Sequence, residues 1–303
     1  MTAPTGGGAA VAHAAEAGTF WRPGAPCTPR TCVERAARTR ALPWAVLRLT
    51  ALLVLLATGA TVRLVTASLG IRLPPGPVRR WCRWVVRAAG VRVRIGGEAV
   101  PAAGVLIVAR HVSWLDVPLL AAVRPARMLA KSEIRSWPVA GRLAARGGAL
   151  FIDRDRIRAL PGTVARVAGH LRSGHAVAVF PEGSTWCGRA GGPFRPAAFQ
   201  AALDADVPVV PVRLRYRVPG GPPATVPAFV GDDTLARSVW RVVRARGLSA
   251  EAEVRAPLVA CPRTDRRTLA RAAETETGSP GDAVLAGTAV PAGDGVPRGG
   301  VTA

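Results

Sequence analysis

Apolar and polar positions along the chain fall into four regimes. Residues 1 to about 40 show no hydrophobic period and are rich in Gly, Ala, Thr and Pro, which predicts a disordered segment. They lack the charged start and apolar middle of a signal peptide. Residues 41–90 carry the most hydrophobic stretch, Leu42 to Ile71. Its uninterrupted core, Leu49 to Val62, is 14 residues long and bounded by Arg48 and Arg63. A full span needs ~20 apolar residues, but snorkelling arginines can extend a short one. Three readings follow: a spanning helix, a half-inserted helix or a buried soluble helix, with membrane insertion in some form expected.

After Pro74–Pro75–Gly76–Pro77, a second helix is predicted over Val78 to Ala89. Trp81, Trp84, Val85 and Ala88 share one face, and Arg79, Arg80, Arg83 and Arg87 the opposite one. That pattern predicts a helix lying in a membrane interface, the second arm of a two-helix hairpin; packing on a protein core is the alternative.

From Val91 the period becomes two, with Val91, Val93 and Ile95 alternating with Arg92 and Arg94. Short strands are then predicted at 105–109, 127–131, 149–152, 176–180 and 207–216. Helices are predicted after Asp116, over 136–146, after Pro161 and over 196–203. Residues 224–230 and 252–258 are read as further strands flanking a helix at 235–246. The alternation argues for an α/β fold, a mixed, largely parallel sheet flanked by helices, occupying residues 91–261. Residues 262–303 lose apolar periodicity and read as a disordered tail.

The net charge of +22 comes almost wholly from arginine. It suits anionic partners, whether lipid headgroups, phosphorylated substrates or nucleic acid. Few aromatics and no nucleic-acid motif disfavour the last. The five cysteines, at 27, 32, 82, 187 and 261, form no C-x-x-C pair and have no close histidine partner. Their spacing argues against zinc and against a disulfide framework, and fits a reducing cytoplasm.

The candidate chemistry centres on Arg110–His111–Val112–Ser113–Trp114–Leu115–Asp116, where a strand ends and a helix begins. Ligands in open α/β sheets bind at such strand ends. An imidazole takes a proton from a hydroxyl near neutral pH, and a carboxylate on its other nitrogen fixes the tautomer. Three further blocks follow: Phe151–Ile152–Asp153–Arg154, Val179–Phe180–Pro181–Glu182–Gly183–Ser184–Thr185, and Val207–Pro208–Val209–Val210–Pro211–Val212. In this order, over about residues 80 to 230, the set resembles the glycerolipid acyltransferase family, whose best-known bacterial members are the 1-acyl-glycerol-3-phosphate acyltransferases.

The resemblance implies that His111 is the general base and Asp116 its orienting partner. It implies that Arg154 holds the acceptor phosphate, with Arg156 and Arg158 adding charge. Glu182, Gly183 and Ser184 belong to the substrate-binding block, and Pro208 and Pro211 to the acyl-pocket block. The family's third block ends in an arginine that is absent here; Arg189 or Arg195 is expected to compensate. The glycine-rich loop Trp186 to Pro193 reads as a mobile lid, and Pro208 and Pro211 place their strand at an edge or a bulge. No G-x-S-x-G elbow is present, so the acceptor hydroxyl attacks directly, without an acyl-enzyme.

The expected function is transfer of an acyl group from acyl-CoA or acyl-carrier protein to a lysophospholipid, first 1-acyl-glycerol-3-phosphate, giving phosphatidic acid. The alternatives are another lysolipid, such as a lyso-ornithine lipid or a glycolipid, and a non-catalytic protein binding anionic membrane or nucleic acid. No metal or cofactor is implied. The partners are membrane lipid and the acyl thioester, and the expected location is the cell membrane with the catalytic domain facing the cytoplasm.

Overall fold

The branched run before His111 is the centre of the sheet. The computed structural model describes residues 24–278 apart from 35, 37, 72, 138–139, 154–155, 220 and 260–263. Three helices come first: α1 (Pro29–Cys32), α2 (Leu42–Ser68) and α3 (Pro75–Ala88). There follow β1 (Arg92–Gly97), β2 (Val105–Val108), α4 (Asp116–Val123), β3 (Arg127–Lys131), α5 (Ala140–Arg146) and β4 (Leu150–Ile152). The chain then forms α6 (Leu160–Arg172), β5 (Ala176–Val179), α7 (Ala197–Ala205), β6 (Val209–Arg217), α8 (Leu235–Arg244), β7 (Ser249–Val254) and α9 (Arg266–Thr277).

The seven strands lie in the order β1-β7-β6-β2-β5-β3-β4. Every pairing is parallel except β6 with β7. Both faces of β2 are buried, so its side chains divide by parity. Val105 and Ile107 join a core with Val85, Val86, Leu119, Leu120 and Val242, from α3, α4 and α8. Leu106 and Val108 join a second core with Val167, Phe199 and Leu269, from α6, α7 and α9. The result is a sheet between two helical layers, as the alternation predicts.

Proline in the fourth block does not put its strand at an edge. β6 is interior, paired with β2 over Val209 to Pro211 and with β7 from Val212 onward. The N–H and carbonyl of Val209 face Leu258, so by the strand's alternation the missing Pro211 donor points to that side too. The β7 ladder has not yet begun there, and only the Arg255 N–H is present, donating to the Pro211 carbonyl. The proline therefore breaks no ladder bond.

Two expected disordered segments are partly folded. The described residues between 24 and 40 lie along the domain: Cys27 is buried, the Glu34 N–H donates to Thr225 Oγ1 at 3.0 Å, and Thr39 bridges Ala245. Residues 266–277 form α9, whose Leu269, Ala270 and Ala273 are buried in the second core. The expected tail thus fails over these residues; 1–23 and 279–303 lie outside the described residues. The stretch 224–230 is buried but forms no strand, because it turns at Thr225 to Ala228 and Phe229 bonds to the Val112 carbonyl.

α2 is 27 residues long, about 40 Å at ~1.5 Å per residue, more than the ~30 Å hydrocarbon core of a bilayer. Only Ala45 and Leu52 are buried; Trp44, Leu47, Leu53, Val54 and Val65 are exposed. That excludes a buried soluble helix and leaves an apolar surface suited to lipid. The domain grips one side of it. Arg48 Nη1 donates to the Val243 and Ala245 carbonyls at 2.9 and 3.0 Å. A Cβ on Gly59 would lie 2.1 Å from the Trp81 ring, so α2 and α3 meet through that glycine.

α3 departs from the interfacial reading. Cys82, Val85 and Val86 are buried, and the helix packs on α4. Of the four residues expected to face lipid, Trp84 alone is exposed, with the Arg80 guanidinium 5.8 Å from its ring.

Candidate active site

β2 ends two residues before Arg110, and α4 begins at Asp116; the turn between them brings His111 and Asp116 together. His111 Nδ1 lies 2.9 Å from Asp116 Oδ2. The same oxygen accepts the N–H groups of Val112 at 2.7 Å and Ser113 at 2.8 Å. Tyr216 Oη, from β6, donates to Asp116 Oδ1 at 2.5 Å. Four donors hold this carboxylate, which is fully buried. Because a carboxylate only accepts, Nδ1 carries the proton, and Nε2 is the nitrogen left for an incoming hydroxyl. The imidazole, 23% exposed, is stacked on Phe180 at 4.0 Å between centroids. Burial raises the Tyr216 phenol well above its ordinary range, and the Asp116 charge raises it further, so it stays a donor.

Glu182 follows β5, the parallel neighbour of β2, and reaches the same turn. Its Oε2 accepts the His111 N–H at 2.9 Å, and its Oε1 accepts Arg110 Nη1 at 2.8 Å and the Gly192 N–H at 3.0 Å. Burial raises its carboxyl above the usual range against the pull of these three partners. With its side chain fully buried, Glu182 ties the site together from within. Gly183 has φ +74° and donates its N–H to the Phe180 carbonyl, a turn that a side chain would strain. Ser184 Oγ is buried without a hydrogen-bond partner among the described residues.

The loop read as a lid is pinned. Its Trp186 N–H donates to the His111 carbonyl at 2.8 Å, and Gly192 is held by Glu182 and Arg110. Arg189 forms an ion pair with Glu34 and does not line the cavity. Neither does Arg195.

His111 opens on a cavity of about 680 Å³, including its solvent-filled mouth. Arg213, Arg215 and Arg217 line it from alternate positions of β6, so they share one face of the strand. Arg213 Nε is buried without a hydrogen-bond partner among the described residues. Burial, then the charges of Arg213 and Arg217, hold the Arg215 guanidinium below its usual range; it remains charged. Arg217 reaches Glu251 at 3.5 Å.

The structure thus brings His111, Asp116, Glu182 and Gly183 into one site. Pro208 immediately precedes β6 and Pro211 lies within it, both away from the cavity lining, and the Pro208 carbonyl accepts the Leu106 N–H. Arg154 lies outside the described residues. Sequence reasoning passed over Tyr216, 100 positions from its partner Asp116. It also passed over Arg110, which bonds Glu182, Gly192 and the Gly278 carbonyl. The three β6 arginines were missed as well, although their period of two was visible.

Residues 92–215 match the family profile described as Acyltransferase. The chain is 39% identical over 217 residues to the lyso-ornithine lipid O-acyltransferase of Pseudomonas aeruginosa, covering 68% of this chain and 82% of the relative. It is 37% identical over 168 residues to the 1-acyl-sn-glycerol-3-phosphate acyltransferase of Neisseria meningitidis, covering 55% and 66%. Its fold is similar to that of the 1-acyl-sn-glycerophosphate acyltransferase PlsC of Thermotoga maritima, with a TM-score of 0.52 at 19% identity over 67% of this chain and 76% of that one. With the ordered blocks and the His–Asp turn in place, the chain belongs to the glycerolipid acyltransferase family and is an acyltransferase.

Proposed function

We propose that this acyltransferase moves an acyl group from an acyl thioester to the hydroxyl of 1-acyl-glycerol-3-phosphate, giving phosphatidic acid. The observation that carries the reading is the His111–Asp116 pair opening on a cavity walled by three arginines. His111 Nε2 takes the acceptor's hydroxyl proton as its oxygen attacks the thioester carbonyl. The tetrahedral intermediate collapses, the C–S bond breaks, and the imidazolium returns the proton to the leaving thiolate. Asp116 keeps the tautomer and stabilises the transient imidazolium. Arg213, Arg215 and Arg217 face the anionic head of the acceptor, supplying the guanidinium that the third block lacks. Arg154 joins them on the family resemblance.

α2 inserts in the membrane, and the catalytic domain faces the cytoplasm, where acyl thioesters are made. Acyl-CoA and acyl-carrier protein both fit as donors.

A lyso-ornithine lipid is the second reading, favoured by the Pseudomonas relative and by the missing block-three arginine. An ornithine head carries one carboxylate beside an ammonium, so it offers a triple-arginine wall less net negative charge than a phosphate monoester does. Membranes carrying the protein, given labelled acyl-CoA and both acceptors, separate the two. We expect phosphatidic acid to form, His111→Ala to lose ~10²–10⁴-fold in rate, and Arg215→Gln to raise KM for the phosphate acceptor roughly tenfold or more. Preferential acylation of the ornithine lipid, unaffected by Arg215→Gln, would overturn the first reading.

A further inference from the structure

We propose that Cys27, Cys32 and Cys187 form a three-thiolate site for a soft metal ion, with zinc as its natural occupant, which clamps the N-terminal segment onto the loop beside His111. This goes beyond the acyl-transfer reading and does not depend on which acceptor is used. The three sulfurs come from two segments 160 positions apart, and all lie within 4.8 Å of one another. Zinc–sulfur bonds of about 2.3 Å in a tetrahedron place neighbouring sulfurs roughly 3.8 Å apart. Each sulfur need therefore move by less than about 1 Å to close on a metal.

The scaffold is already set. Cys27 lies two residues before α1 and Cys32 is its last residue; the turn is fixed by the Thr28 side chain accepting the Thr31 N–H and by the Cys32 N–H donating to the Thr28 carbonyl. Cys27 and Cys187 are buried, while Cys32 is partly open to solvent, giving an ion a route in and the fourth position a water. The spacing Cys27-x4-Cys32 hides the site from a search for C-x-x-C pairs, and Cys187 meets it only through the fold.

The need for a staple is visible as well. Between Gly24 and Arg40 the described chain has a single helical turn, held by the Glu34 bond to Thr225, the Glu34–Arg189 ion pair, the Thr39 bridge and the packing of Cys27, Val33 and Ala36 on the first core. On binding, the ion displaces three thiol protons to solvent and forms three metal–sulfur bonds, with no change of oxidation state. Cys187 adjoins Trp186, whose N–H bonds the His111 carbonyl, so the clamp fixes the main chain of the general base.

The test uses the full chain in detergent, reduced and stripped of metal, then titrated with Co²⁺. A thiolate-to-cobalt charge-transfer band should saturate at one equivalent, release protons, and be displaced by Zn²⁺. Cys32→Ser, at the partly exposed position, should weaken binding by more than the roughly 10–100-fold that outer-sphere partners cost. Cys82→Ala should leave it unchanged. In the unaltered protein, Zn²⁺ should protect Cys27, Cys32 and Cys187 together from alkylation, read by mass spectrometry, which keeps the test independent of how any variant folds. Absence of the band, retention of full affinity in Cys32→Ser, or a Cys27–Cys187 disulfide forming in the presence of excess zinc would each overturn the proposal.

Discussion

Asp116 accepts four hydrogen bonds, and the one from Tyr216 is the only one that reaches it from another strand. Removing that hydroxyl leaves the His111 tautomer in place but loosens the carboxylate that aims it. Tyr216→Phe should cost about 1.5–3 kcal/mol of stability, the value of a hydrogen bond to a charge. It should also lower kcat with little change in KM; an unchanged kcat would make the tyrosine a packing residue. Glu182 supplies a second residue-scale prediction. Its carboxyl is raised by burial, so the folded protein holds that proton more tightly than the unfolded chain does. This group therefore favours folding fully below the unfolded carboxyl's range, near pH 4, and that contribution is lost as pH rises through the higher folded value. The thermal midpoint of the wild type minus that of Glu182→Gln, which cannot titrate, should shrink between about pH 4 and about pH 7. A gap that widened would mean the ionised form is the stabilised one. His111 and Asp116 were legible in the sequence because a five-residue turn joins them. Tyr216 was not, because nothing along a strand marks which residue meets a partner 100 positions away. Arg110 carried no role in the sequence, because its partners Glu182, the Gly192 carbonyl and the end of α9 all come from distant parts of the chain.

At the scale of elements, α9 is where sequence and structure part. Its residues are mostly Arg, Thr and Glu, and its buried stripe is Leu269, Ala270 and Ala273, too small to register as amphipathic. The stripe nevertheless closes the second core, and the helix ends by presenting the Gly278 carbonyl and Glu274 to Arg110. Leu269→Ala should cost about 2–5 kcal/mol in denaturant unfolding. A chain ending after residue 264 should lose activity, since Arg110 then loses both contacts; full activity in that chain would show α9 to be dispensable. The strands were far easier to read, because branched residues in short runs bounded by turn residues have few other uses. The buried stretch 224–230 was mistaken for a strand because burial without pairing leaves the same apolar signature.

For the molecule as a whole, an arginine-rich domain and an exposed apolar helix offer two separate attractions to a membrane. The first is screened by salt and the second is not. Replacing Leu42, Trp44, Val46, Leu47, Leu53, Val54 and Leu56 with Gln spares the buried Leu52 and strips the N-terminal half of the outward face of α2. Sedimentation with anionic vesicles should then change from salt-resistant to salt-sensitive binding; persistent binding in high salt would place the anchor elsewhere. One pairing has a further reach. β1, the first strand made, lies against β7, the last, and α9 follows both. Translation completes α2 long before β7 or α9 has left the ribosome. Until they are made the sheet is open and Arg110 lacks its C-terminal contacts, so acylation awaits synthesis of the final helix.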